Sequence, residues 1–302
     1  MTLSLPTGPA RLVAIAVVVW VLQPFTAGAV IGEALNNAQA TRFADVVTVA
    51  AWVLWALILV AMVVPRPATL TIVRIGTVGG VAATVWAAVD VERHHDPGMS
   101  EMVMIGIVAS IVAVVTVHLP GVGDRFVDGV SYGEEVRYLL RPPGPVLIAA
   151  LAPSVAIVIV GAAAGPLLLA DERWVVGAIV TVVGFAVAWF PLNALHRLTN
   201  RFLVFVPNGL VVHDLTQMRE PVLFVKREIA GFGPARTDTT ARDISAAALG
   251  LALELRLTKP AELPFVSGRT ETDLVSARAL LVSPTRPAAV MRTAVDRGIT
   301  IA

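Results

Sequence analysis

Six long runs of apolar residues, each nearly free of charge, constrain this chain more than any other feature. They are Leu12–Ile31, Val46–Val64, Leu70–Val89, Met102–Leu119, Val146–Ala170 and Trp174–Leu195. A helix needs about 20 mostly apolar residues to cross the hydrocarbon core of a bilayer, and each run is of that order. A water-soluble core could not enclose so many of them. The sequence therefore predicts an all-α membrane bundle over residues 1–198. Asp171-Glu172-Arg173 is all that separates spans five and six, which predicts a tight helical hairpin.

Charge is distributed to match. Residues 1–198 hold 10 arginines, no lysine and 12 acidic residues, spaced between the apolar runs. Residues 199–302 hold 13 basic and 10 acidic residues, mixed as on a solvated surface. With 21 Arg against 2 Lys and much Ala and Val, a GC-rich bacterial genome and a bacterial inner membrane are expected. The absence of cysteine excludes disulfides, thiolate metal sites and cysteine nucleophiles.

Orientation is read from the arginines. With a cytosolic N-terminus, inner segments carry Arg11, Arg66, Arg74, Arg125, Arg137, Arg141 and Arg197, and outer segments carry Arg42, Arg93 and Arg173. The positive-inside rule then places both termini in the cytosol. Ala27-Gly28-Ala29 has the small-residue form of a signal-peptide cleavage site, but the apolar run continues past it, so an uncleaved first span is expected. Trp20, Trp52, Trp55, Trp86, Trp174 and Trp189 fall mostly near span ends, where indoles favour the interface.

Within the spans, Gly28-x-x-x-Gly32, Gly76-x-x-x-Gly80 and Gly161-x-x-x-Gly165 allow close helix packing. Packing inside one bundle is the expected use, and a homo-oligomer seam is the alternative. Pro24, after Gln23, frees a backbone carbonyl and predicts a kink in span one.

From Thr199 the period changes. Phe202–Val206 and Leu210–His213 flank Pro207-Asn208-Gly209 and predict a β-hairpin, with Asn208-Gly209 as a type I′ turn. Further strands are expected at Val222–Val225, Leu251–Leu257 and Ala279–Val282. A closing helix is expected over Ala288–Arg297, with Pro287 at its first turn and Gly298 beyond its end. Thr199-Asn200-Arg201, Lys226-Arg227-Glu228-Ile229 and Ser283-Pro284-Thr285-Arg286-Pro287, set in this order of strands and helix, resemble the bacterial pleckstrin-homology-like domains of small membrane proteins. The resemblance covers residues 197–300. It implies a mainly-β barrel or sandwich capped by a helix over 199–302, used for interaction and without a catalytic centre. The loop between the first two strands carries no cation, which argues against inositol-phosphate binding by that route.

Sites of chemistry are sparse. Asp90, Glu92, His94, His95 and Asp96, with Glu101 beyond, combine imidazole and carboxylate in the way a zinc or other divalent-ion site does. Adjacent histidines on a helix point about 100° apart, so a solvated outer loop is the expected reading. In 131–143, Tyr132, Val136, Leu139 and Leu140 fall at i, i+4, i+7 and i+8, which predicts an amphipathic helix packing within the protein or on a partner. No GxSxG, GxxxxGK[ST], HExxH or paired DxD motif is present.

Transport needs ionisable residues or broken helices near the midplane, and only Gln23 beside Pro24 answers to that. The leading expectation is a non-catalytic accessory or scaffold that needs no cofactor. Its partners would be the bilayer and other membrane or cytosolic proteins, and not nucleic acid. A transporter or channel component is the second reading, and an envelope enzyme using the outer Asp/His cluster is the third.

Overall fold

The computed structural model describes residues 8–37, 41–94, 99–267 and 271–301, and its contacts divide into two compact units. One comprises residues 1–122 and 153–194, and the other residues 123–152 and 195–302.

The first unit is helical. It contains α1 (Gly8–Val21), α2 (Ala27–Asn36), α3 (Thr41–Val63), α4 (Pro67–Arg93) and α5 (Ser100–His118). After α6 (Pro120–Asp128), which leads into the second unit, α7 (Leu151–Ala170) and α8 (Trp174–Thr199) contribute most of their length to the first. Among the described residues, six helices are long and apolar enough to cross a bilayer: Gly8–Asn36, Arg42–Val63, Pro67–Arg93, Ser100–His118, Val146–Ala170 and Trp174–Thr199. Each coincides with a predicted run to within a few residues, and the chain is a multi-pass membrane protein. Leu54, Leu57, Val60, Val182 and Phe190 are all more than half exposed, as lipid-facing side chains must be.

Span one is two helices joined by a 3₁₀ turn over Gln23–Phe25. Proline has no N–H, so Pro24 leaves the carbonyl of Trp20, four residues earlier, without its helical donor. The indole N–H of Trp55 donates to that carbonyl at 3.0 Å, and the Trp20 indole donates to the Trp55 carbonyl at 3.0 Å. The break is thus satisfied by α3.

Close approach is visible at several small residues. A Cβ on Gly161 would lie 2.6 Å from the Gly184 carbonyl oxygen, and one on Gly165 would lie 2.4 Å from the Thr181 backbone. Gly76 abuts Ile58, Gly80 faces the Trp20 ring, Gly28 faces the Gln23 carbonyl, and Gly32 faces open space.

Among the described residues, the second unit holds eight strands and a last helix. The first sheet has the order β1 (Val136–Leu139), β2 (Phe202–Val206), β3 (Gly209–His213) and β4 (Val222–Val225), all antiparallel. The second contains β5 (Ile229–Pro234), β6 (Arg242–Asp243), β7 (Leu253–Val266) and β8 (Thr272–Val282), in the order β5-β7-β8-β6. Strand alternation sends Leu203, Phe205, Leu210 and Val212 of the first sheet into one core with Leu253, Leu255, Leu280 and Val282 of the second. Val290 and Ala294 of α9 (Pro287–Asp296) join that core. Pro287 opens α9, and Gly298, with φ of 68°, follows its end.

Two sequence expectations are corrected here. Residues 131–143 do not form an amphipathic helix. Val136–Leu139 is a strand paired with β2, because Val136, Tyr138 and Leu140 alternate toward the core while Tyr132 stands 87% exposed. The division at 198/199 therefore separates β1 from the sheet that it belongs to.

The β2–β3 turn is not type I′ either. Val206 pairs with Gly209, so Pro207 and Asn208 form the turn, and neither has the positive φ that type I′ requires. Gly209 is needed for a different reason: a Cβ there would sit 2.1 Å from the Phe224 carbonyl oxygen of β4.

Candidate functional site

The sequence candidates separate in space. Asp90, Glu92 and His94 lie at the end of α4, where His94 Nδ1 is 2.9 Å from the Asp90 carbonyl and 3.5 Å from its carboxylate. That pair locks a helix end. Among the described residues no group of three His, Cys, Asp or Glu side chains is placed to hold a metal ion. His95 and Asp96 lie outside the described residues, and Glu101 is in the first turn of α5.

Gln23 is buried at the break in span one. Its amide donates to the Ala109 carbonyl at 3.1 Å, and its oxygen accepts from Ser110 at 3.5 Å; Ser110 in turn meets Thr84 at 3.0 Å. Polar groups in lipid must be satisfied internally, and these satisfy one another between the 3₁₀ turn of span one, α4 and α5.

In the second unit, a fully buried ion pair stands at the base of the first hairpin. Arg201 Nε and Nη2 donate to Asp214 Oδ2 at 2.9 and 2.7 Å, and Nη1 donates to the Arg141 carbonyl at 2.9 Å. Asp214 Oδ1 accepts from the Thr216 amide and hydroxyl. Arg201 is thus a pin joining the end of β1 to the turn after β3. Sequence reading noted it only as part of a resemblance, because no spacing rule pairs it with Asp214.

The two sheets treat their edges differently. Strand β1 is the edge of the first sheet, and its outward amides are occupied. The Arg137 N–H donates to Asp128 Oδ1 at 3.0 Å, and the Leu139 N–H donates to Asp124 Oδ1 at 2.9 Å. Asp124 also accepts from Thr285 and Arg286. Burial, opposed by these hydrogen bonds and by the Arg286 charge, pushes its carboxyl up to about 6. The neighbouring Glu135 is held below its ordinary value by its hydrogen bond to Arg137.

In the second sheet, β7 is covered along its outer edge by β5 at one end and by 217–219 at the other. Strand β8 is not. Among the described residues, only Arg242 and Asp243 pair with its outer edge, opposite Leu280 and Leu281. From Thr272 to Ala279, no described strand lies on its outer side, and a groove there is lined by Thr240–Asp243 and Val275–Ala279. Val275 and Ala277 face the core while Ser276 and Arg278 are exposed. Arg242 stacks over the Phe265 ring at 5.1 Å, and Asp243 is engaged by the backbone amides of Ser245 and Ala247. The groove therefore offers backbone hydrogen-bonding groups flanked by two arginines. Sequence reading began one arm only at Ala279 and ended the other at Leu257, whereas the strands run over Thr272–Val282 and Leu253–Val266. It missed this edge because Lys259-Pro260 reads as a break, whereas the structure absorbs it as a bulge between Arg256 and Ala261.

Compared with known proteins, the chain matches no family model, no curated protein and no solved structure.

Proposed function

We propose that this protein is a non-catalytic membrane accessory or scaffold whose β unit, a pleckstrin-homology-like module, recruits a partner protein by strand addition. The open edge of β8 is the observation that carries the reading. An unpaired row of backbone N–H and C=O groups is a template for an extended chain, and proteins usually cover or blunt it. The β1 edge of the same unit is covered by Asp124 and Asp128, whereas eight residues of β8 are not. Arg242 and Arg278 beside the groove favour a partner segment that carries acidic side chains. The arginine distribution supports cytosolic termini and an inner-membrane setting for that partner. The mutual satisfaction of Gln23, Ser110 and Thr84 favours a packing role for the break in span one over a transport pathway.

The test is purification of the tagged full chain in mild detergent with identification of what accompanies it. The expected outcome is a stoichiometric partner that is lost in the Arg242→Glu/Arg278→Glu variant, while that variant remains inserted and folded. A lone homogeneous species, or a partner indifferent to both substitutions, refutes recruitment through this edge.

A further inference from the structure

Residues Ile244–Leu253 are a charge-free run inside a segment, 199–302, that otherwise carries 13 basic and 10 acidic residues. The ends of the run are buried, but Ala247, Leu249, Gly250 and Leu251 are exposed, the two leucines by 54% and 50%. Exposed leucines are ordinary one at a time, but two on one uncharged loop make a patch.

The loop is also tightly shaped. Ala246 and Ala247 are both left-handed, with φ of 54° and 55°, and Gly250 has φ of 109°. The Asp243 carboxylate imposes that path, accepting from the Ser245 amide at 2.7 Å and from the Ala247 amide at 3.0 Å. Non-glycine residues persist in this region only where their surroundings hold them there.

Its position says what covers it. The Gly144 amide donates to the Ala246 carbonyl at 3.2 Å, and the Arg141 guanidinium donates to the Leu249 carbonyl. Pro145 follows Gly144, and span five runs from Val146 to Ala170, with Ile148 already 76% exposed as a lipid-facing residue. A helix of 25 residues is about 37 Å long, some 7 Å more than the hydrocarbon core, so each of its ends reaches roughly 4 Å into the headgroup layer. Gly144, two residues before Val146, lies about 7 Å before the hydrocarbon begins, at the level of the headgroups, and the loop is hydrogen-bonded to it.

We infer that the loop 244–253 is a membrane-interface anchor, with Leu249 and Leu251 inserted among the lipid headgroups and upper acyl chains beside the point where span five enters the bilayer. Apolar side chains at that depth bind by the surface they remove from water. Arg141, whose guanidinium holds the Leu249 carbonyl, stands at the level of the lipid phosphates. The anchor holds the β unit against the bilayer by a contact separate from the two helices that connect to it. It rests on the six-span reading and not on the recruitment of any partner.

The chain contains no cysteine, so single labels can be placed without altering a background. Nitroxides at Leu249→Cys and Leu251→Cys are read in the full chain, alone in phosphatidylcholine–phosphatidylglycerol nanodiscs. Collisions with oxygen, which partitions into lipid, are compared with those of a water-soluble nickel complex. Ile148→Cys is the lipid reference and Asp238→Cys, at an exposed polar loop, is the water reference. Oxygen preference at 249 and 251 approaching that of 148 is expected. Nickel preference at both, equal to that of 238, overturns the anchor whatever the fate of the recruitment test.

Discussion

Replacing Arg201 with methionine should destabilise the β unit far more than any surface arginine could. The side chain is 1% exposed and its partner Asp214 is fully buried. Methionine keeps much of the volume but leaves Asp214 Oδ2 without either of its guanidinium donors, and the carbonyls of Arg141 and Ile244 without theirs. Removing one partner of a buried pair typically costs about 3–5 kcal/mol, because the remaining charge cannot reach water. At about 1.4 kcal/mol per factor of ten, amide protection in β2 and β3 should fall by roughly two to four orders of magnitude. Hydrogen exchange with mass spectrometry, on the full chain in detergent, reads this in peptides covering residues 202–213. Helices of the first unit serve as internal controls. Adding Asp214→Leu to Arg201→Met should recover part of the loss, since the stranded charge is then gone. A fall in protection of less than about tenfold, or a double variant worse than the sum of the singles, would refute the assignment of Arg201 as an electrostatic pin.

Three further outcomes are expected. Asp124 binds its proton more tightly in the folded state, about 6 against 3.8, so its contribution to stability is full below pH 4 and is lost as pH rises through 6. The difference in stability between wild type and Asp124→Asn should therefore fall by about 3 kcal/mol across that window, measured by denaturation at fixed pH values. Gly209→Ala drives a methyl group into the Phe224 carbonyl and should cost about 1–3 kcal/mol, whereas Asn208→Ala, in a turn without positive φ, should cost much less; equal costs would restore the type I′ turn. In the spans, Gly161→Leu should separate α7 from α8 and lower resistance to unfolding in mixed micelles, while Gly32→Leu, facing open space, should leave it unchanged.

The spans were legible because length and lack of charge decide them, and neither depends on what packs where. The same holds for α9, whose proline and glycine mark its ends locally. Legibility failed where two periods fit one segment. Tyr132, Val136, Leu139 and Leu140 satisfy a helical stripe, but Val136, Tyr138 and Leu140 satisfy a strand. The strand prevails because β2, more than sixty residues later, offers a ladder and Asp124 and Asp128 cover the other edge. The candidate edge was harder still. That β8 lacks a neighbour is a fact about sheet order, and sheet order follows from pairings far apart in sequence. The Arg201–Asp214 pair is illegible for the same reason: each residue is unremarkable until burial brings the two together.

The pairing of β1 with β2 has a consequence for how the protein is made. One strand is synthesised before spans five and six and the other after them, yet the two align residue by residue from Val136–Phe205 to Leu139–Phe202. Two strands can meet only on one side of a bilayer, so residues 140–201 must cross it an even number of times before the first sheet can close. A chain in which one of those helices fails to insert leaves β1 and β2 on opposite sides, with both edges unpaired and the core open. Completion of the β unit thus reports that the preceding hairpin has been integrated, and a misinserted chain exposes the unfolded sequence that cellular proteases degrade.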